Sequence, residues 1–468
     1  MKLLPWATLL LLVFLATRSP AALGPRYGGE LRLGLPELPA SLAPAPAAGI
    51  GPRAAAGLVH ETLLGLARDG QPTAGLAASS VSAAEGREWT LSIGEHARFH
   101  DDRPILAEDA VRSLRAFLRG PGVAAAALAR ALEGGPAFRS RERDELPGLV
   151  APDSRQVVLR FASPPAPPLA TLASPAAAVT SAGGAGAGPF VPTVFAPGQR
   201  LVGTAFAGHL RGRPYLDRVH VEAFPDPAAL AAQARTGRVD LAAGEAGVEA
   251  LAASVLLVLD PRRPPFDRPA ARAAVAAAID RAALMGRLLT GGAPSTDLLP
   301  PSLLRAPDAP RPAVGVGRFV PLSGAVTLAV SRDVPQVVSQ RVLAQLAALG
   351  LRVHVVPVTP AGALNAPTEL RLLAYVPEVP EPALALEELL ALAPPPPDAL
   401  ERLEAARREA DPARRLALLA EAHDALRGEG AIIGLGQAPV RFGGRARVHG
   451  ARVDPAGRLV LEDAWVEP

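Results

Sequence analysis

The chain has 468 residues, well beyond the roughly 250–300 at which one hydrophobic core stops growing, so two or more domains are expected. Its net charge is only +3, with 48 basic residues interleaved among 45 acidic ones instead of gathered in a stripe with stacking aromatics, which excludes a nucleic-acid surface. There is no cysteine, which excludes disulfides, thiolate chemistry and a lipid-modified N-terminal cysteine.

At the N-terminus, Lys2 precedes the apolar stretch Leu3 to Ala16 and then the small residues of "RSPAALG", the order of a secretory signal. Cleavage is expected after Ala21 or Ala22, so residues 1–22 read as a signal peptide and the mature protein as exported and soluble. The run is broken by Pro5 and is shorter than the roughly 20 apolar residues of a membrane-spanning helix.

Next, "GGELRLGLP" alternates at Leu31, Leu33 and Leu35 and predicts a strand that runs out into proline-rich loop. "REWTLSI" alternates likewise at Trp89, Leu91 and Ile93. Behind it, Ala110, Val111, Leu114, Phe117 and Leu118 recur at helical spacing, with Glu108 and Asp109 in the first turn where the helix dipole favours acids. Between strand and helix stand His96 and His100, four apart and thus on one face of an extended chain. Zinc needs three or four ligands converging at about 2 Å, and His60, His209, His220, His354, His423 and His449 add no ligand-like spacing. A turn is expected here, and no metal.

Further on, "GAVTLAVS", "VVSQRVLAQLAALG" and "LRVHVVPV" read as one βαβ unit with Gly350 ending the helix, which implies a parallel strand pair. Pro394 to Pro397 reads as a stiff linker. Asp411 and Pro412 open a helix as cap and first residue, with Leu416, Leu419 and Leu426 expected on its buried face.

Catalytic motifs are not met. "GGAGAGPF", Gly183 to Phe190, lacks the lysine and hydroxyl residue of a phosphate loop and the spacing of a dinucleotide fingerprint. "HETLL" at His60 lacks a second zinc-binding histidine, and there is no G-x-S-x-G elbow. No catalytic residue, metal or cofactor is expected.

The segments "YGGELRLGLPELPASLAP", "VHETLLGLARDGQPTAGLAAS", "EGREWTLSIGEHARFHDDRPILAEDAVRSL", "GAGPF", "LRGRPYLDRVHVEAFPDPAALAAQARTGRVDLA", "PPFDRPAARAAVAAAIDRAALM" and "VHGARVDPAGRLVLEDAWV" follow one another in the chain. In this order they resemble family 5, the peptide and nickel type, of the bacterial extracellular solute-binding proteins, the receptors of ABC importers. The likeness runs from about Tyr27 to Val466. Within it, "RFHDDRPILAEDAV" matches a structural turn and helix start, although Asp102 replaces the turn glycine and Leu106 the usual Ser or Thr cap.

The resemblance implies an α/β, two-lobed periplasmic-binding-protein fold of type II, with an extra inserted domain and a hinge between the lobes. Residues 23–42, 183–252 and 437–468 would form a discontinuous first domain, 43–182 an inserted second, and 253–436 the opposite lobe. It implies an exported, periplasmic-type receptor without nucleic-acid partners, working as a monomer. A peptide or other small polar solute would bind between the lobes and pass to ABC permease subunits in the membrane. The family's acidic anchor for a peptide α-amino group, set against "LLAYVPEVPEP", falls on Glu378 with Tyr375 as the preceding aromatic, Val376 between them and Glu381 following. Leu35, Pro36 and Glu37 would edge the cleft, and Asp260 stands where the family commonly has Asn. Departures accompany these matches. Aromatics are 4% of the chain, His209 and Leu210 replace a Tyr-Trp pair, and Gly436, Gln437 and Ala438 replace an aromatic cluster, which predicts a roomier floor. The chain also lacks material after Asp240 and around Pro394. A second expectation therefore stands beside the receptor: a diverged signalling or interaction scaffold that keeps the lobes and has lost the pocket.

Overall fold

The computed structural model describes residues 24–162, 168–244, 247–304 and 321–467; the expected signal peptide lies outside the described residues. Its backbone is an 11-stranded mixed sheet. From one edge the strands run Leu351–Val358, Gly324–Ser331, Leu370–Tyr375, Gly247–Leu259, Ile432–Gly444, Leu241–Ala243, Glu30–Leu35, Arg218–Ala223, Arg200–Ala205 and Phe190–Ala196, and the eleventh, Ala293–Pro294, pairs with Ile432–Gly444 off this path. Two 13-residue strands, Gly247–Leu259 and Ile432–Gly444, pair antiparallel from end to end and carry the chain from one half of the sheet to the other. Their ladder slips twice, between Glu249 and Ala252 and between Val255 and Leu256, and such bulges bend and twist a ribbon. Ser254 pairs with Gln437 between the slips, so the bends fall where the two halves meet.

The predicted elements are present. Glu30–Leu35 forms the first strand, and Glu88–Ile93 sits in a separate four-stranded antiparallel sheet. The βαβ unit is Gly324–Ser331, helix Gln336–Ala348 and Leu351–Val358, with the strands parallel and Gly350 at φ 97° after the helix. The helix after Asp411 runs Pro412–Glu429, and the Asp411 carboxylate takes the Arg414 N–H at 2.8 Å. Its buried stripe is Leu419, Ala422, His423 and Leu426, whereas Leu416 is 38% exposed. Periodicity identifies a face but not how far along it a partner reaches. Pro394 and Pro395 bridge two helices, while Pro396 caps and Pro397 opens Pro397–Arg408.

Apolar side chains gather in distinct cores. One takes residues from Leu63 to Ala187, around the four-stranded sheet and helices Ala107–Arg119 and Val123–Ala131. A second joins Leu31, Leu33 and Leu35 to Val219, Val221, Val440 and Phe442. Helix Ile50–Val59, expected within the inserted segment, packs into this second core through Ala54, Ala55, Leu58 and Val59. Two more cores cover the two faces of the sheet's other half, one holding Val275, Leu328 and Val342, the other Leu373, Leu386 and Leu426. Among the described residues no helix is long and apolar enough to cross a membrane.

The turn that replaces the family glycine has the geometry a glycine would favour: Asp102 sits at φ 63°. Helix Ala107–Arg119 compensates for its Leu106 cap, since Asp109 folds back and accepts the Leu106 N–H at 3.1 Å.

Candidate functional site

The sheet strand Leu370–Tyr375 ends because "VPEVPEP" follows it: Pro377, Pro380 and Pro382 have no N–H for a ladder and hold the chain extended. Tyr375 pairs with Ser254, beside the bends of the crossing strands, so the segment leaves the sheet at the junction of the two halves. It ends at helix Pro382–Leu390, whose N-cap is Glu381; the Glu381 carboxylate accepts the Leu384 N–H at 2.8 Å. Tyr375 is buried, and its hydroxyl donates to Ala385 O at 3.1 Å and Glu388 Oε2 at 2.8 Å.

Glu378 is 8% exposed. Its amide donates to both Glu388 carboxylate oxygens, at 3.2 and 3.3 Å, and its own carboxylate accepts the Ser174 hydroxyl from across the junction. Facing it is Arg53, on helix Ile50–Val59 and only 5% exposed. The guanidinium donates to Pro377 O at 2.9 Å, Val376 O at 2.7 Å and Ala456 O. Val376 packs against the first-strand core. Burial raises the Glu378 pKa, against the pull of Ser174 and Arg53. Burial, then the neighbouring Glu378, pushes Glu388 up to about 8. Glu381 is pushed to about 7 by burial, opposed by the amides it caps.

The first strand delivers Leu35 into the core and Pro36 and Glu37, half-buried, to the same junction. Gly51 fits directly over this corner: a Cβ there would stand 1.9 Å from Glu37 O. Glu37 faces Asp333, which follows strand Gly324–Ser331 in the opposite half. Burial first, then the Asp333 charge, raises Glu37 to about 7, with Arg332 opposing. Asp333, whose carboxylate takes the Ser331 hydroxyl at 2.5 Å, is raised to about 6 by burial. The halves also meet where Val379 and Leu384 pack on Ala170, Val123 and Ala127, and where Arg130 reaches Glu387 at 2.8 Å.

Residues 71–319, more than half of the chain, match the family model described as bacterial extracellular solute-binding proteins, family 5 Middle. The chain belongs to family 5 of the bacterial extracellular solute-binding proteins. Among solved structures, the murein tripeptide binding protein MppA of Escherichia coli superposes with a TM-score of 0.81 at 18% identity, over 93% of this chain and 98% of that one. OppA of Burkholderia pseudomallei gives 0.81 at 15% identity, over 95% and 100%. DppA of Helicobacter pylori, solved with the peptide STSA, gives 0.78 at 16%, over 95% and 99%. These likenesses establish the two-lobed fold. Among curated proteins the sequence finds no match.

In this family 5 chain the residues singled out from sequence fall into two places. Glu378, Tyr375, Val376, Glu381, Leu35, Pro36 and Glu37 converge at the lobe junction. Asp260 does not: it follows Leu259 at the far end of the crossing strand, beside Glu369, while Ser254 and Tyr375 lie at the near end. There its carboxylate is held by Arg262 at 2.8 and 3.0 Å, which lowers its pKa. Sequence reading missed Arg53, Glu388, Asp333 and Ser174. For Arg53 a signal existed, a lone charge inside the small-residue run "GIGPRAAAGLV"; for the others there was none.

The roomier floor expected at Gly436 is not found. A Cβ there would stand 2.4 Å from Met285 Cγ and 2.5 Å from Ala293 O, so neighbouring chain fills the space an aromatic would take. Gln437 accepts the Ser254 hydroxyl at 3.2 Å, and its buried Nε2 has no partner. His96 is exposed and His100 turns inward, 2.9 Å from Gly188 O and edge-on to Phe206, so the two do not converge. Among the described residues one group has ligand atoms close enough for a metal: Glu61, His209 and Glu462, within 4.8 Å. Arg211 stands there as the cation, 2.5 Å from Glu61 and 2.6 Å from Glu462, and this fixed positive charge competes with any metal ion.

Proposed function

We propose that this family 5 protein is the capture subunit of an ABC importer. Exported from the cytoplasm, it closes on a peptide or other small polar solute between its lobes and hands it to permease subunits in the membrane. The observation that carries this reading is the placement of the 375–381 segment. It leaves the sheet beside the bent crossing strands, and Glu378 is buried between groups contributed by both lobes.

We assign Glu378 as the anchor for a ligand ammonium, a charge-assisted bond that strengthens as the cleft closes and water leaves. Val376, Pro36 and Glu37 border the cleft, while Leu35, Tyr375 and the Glu381 cap hold its walls from behind. Asp260 serves the far end of its lobe. The domain division at residues 43–182 and 253–436 is supported by the separate cores, with helix Ile50–Val59 moved to the first domain. We read the protein as a binding protein and not an enzyme, and as a monomer whose two lobes both come from one chain. Ligand works by favouring the closed state over the open one.

The test is native mass spectrometry of the mature protein from its own host, followed by a thermal-shift screen of peptides and amino acids. A ligand at 100 times its Kd stabilises by about 2.7 kcal/mol. The shift should be present in the wild type and absent in Glu378→Gln. A protein that is empty on isolation and unshifted across the library sinks the receptor and leaves the scaffold with a degenerate pocket.

A further inference from the structure

Closing the lobes gathers more negative charge than positive. Glu37 comes from the first strand, and Asp333 faces it from the other lobe. A Cβ on Gly49 would touch both Glu37 Oε1, at 2.8 Å, and Pro360 Cγ, at 2.7 Å, which places the Glu37 carboxylate at the seam itself. At the second pole Glu378 and Glu388 lie together: the Glu378 amide donates to the Glu388 carboxylate, which also takes the Tyr375 hydroxyl. These two poles thus hold four carboxylates.

Positive charge is scarce around them. Arg53 acts on Glu378, Glu388 and Asp333, and also on Asp454, which has its own partner in Arg458 at 2.5 Å, so one guanidinium is shared among them. Both Arg53 Nη atoms are committed to main-chain carbonyls, and its buried Nε–H has no acceptor among the described residues. Arg332 acts on Glu37 but is itself exposed. Arg415 acts on Glu381, not on these four. Burial raises all four carboxyl pKa values, Glu388 to about 8, Glu37 to about 7 and Asp333 to about 6. An unpaired carboxylate buried in a closed cleft needs a positive partner or a proton.

Resting on the receptor reading above, we infer that the cleft selects a basic peptide. One ammonium or guanidinium is held at Glu378 and Glu388, a second between Glu37 and Asp333, and a peptide carbonyl accepts the free Arg53 Nε–H. The last contact separates a peptide from a polyamine, which offers charge without an acceptor. Bringing a cation to Glu388, raised to about 8, ionises its carboxyl, so binding releases a proton to solvent.

Isothermal titration calorimetry of the mature protein at about pH 7.5 tests this with Lys-Ala-Lys, Ala-Ala-Ala, Glu-Ala-Glu and spermidine. Lys-Ala-Lys should bind at least about tenfold tighter than Ala-Ala-Ala, with Glu-Ala-Glu and spermidine weaker. Repeating the titration in buffers of different ionisation enthalpy should show proton release. Glu37→Gln with Asp333→Asn should weaken Lys-Ala-Lys about tenfold more than it weakens Ala-Ala-Ala. Equal or tighter binding of the neutral or acidic peptide overturns the charge class while the receptor reading stands. Spermidine binding as tightly as Lys-Ala-Lys overturns the peptide assignment. Affinity blind to ligand charge but rising as pH falls shows that protons supply the charge, which also overturns it. If none of these four binds but another library solute does, the class is wrong; if no solute binds, the receptor reading itself falls.

Discussion

Replacing Arg53 by alanine removes a buried cation that donates to three main-chain carbonyls, those of Val376, Pro377 and Ala456, and faces Glu378 and Glu388. Each charge-assisted bond contributes roughly 1.5–3 kcal/mol, but the sum overstates the loss, because water can enter the cavity and the two carboxyls can stay protonated. Removing one partner of a buried ionic group costs about 3–5 kcal/mol, and that is the expected destabilisation. In a thermal melt of a chain this long it corresponds to a fall in Tm of roughly 3–5 °C. Arg53→Lys should recover only part, since one ammonium cannot span the carbonyls that the planar fork spans. The same melts followed against pH should show the Arg53→Ala deficit shrinking as pH falls from about 8 to 5 and the carboxyls take up protons. An Arg53→Ala protein melting within about 2 °C of wild type, with no pH dependence of the difference, would refute the reasoning and make Arg53 a spectator at the seam.

Two further outcomes are expected. Glu381, raised to about 7 by burial, contributes stability that is full below its unfolded pKa near 4.5 and is lost as pH rises through 7. Glu381→Gln keeps the acceptor for the Leu384 amide and drops the charge, so it should match wild type near pH 5 and exceed it by about 2 kcal/mol near pH 8 in urea melts; a constant difference across that range would show the carboxyl to be solvated. Asp102, at φ 63°, holds the left-handed backbone that glycine adopts without penalty. Asp102→Gly should therefore stabilise by up to about 1 kcal/mol, read as a raised Tm, and a loss of stability would mean that the aspartate side chain supports the turn.

Much of the architecture was legible in the chain. Period-two runs gave Glu30–Leu35 and Glu88–Ile93, and the helical spacing after Glu108 gave Ala107–Arg119. Asp411 and Pro412 marked a helix start because a carboxylate and a residue without N–H suit the unpaired amides of a first turn. These are local effects, settled by neighbours a few residues away. The order of segments then identified the family, and "VPEVPEP" marked the segment that leaves the sheet, because proline acts on its own backbone.

What the sequence could not decide lay between distant residues. Arg53 and Val376 are 323 positions apart and Ser174 and Glu378 are 204 apart, so no spacing rule relates them. Glu378 and Asp260 both stood among the site candidates in the sequence; strand register put Asp260 at the far end of the lobe and Glu378 at the seam. Small residues at Gly436 suggested room, yet Met285 and Ala293 fill it, since empty space depends on what another part of the chain brings. Composition could report a nearly neutral chain, +3 overall, while folding alone concentrated four carboxylates in one seam, because burial and charge pairing are properties of contacts and not of residues.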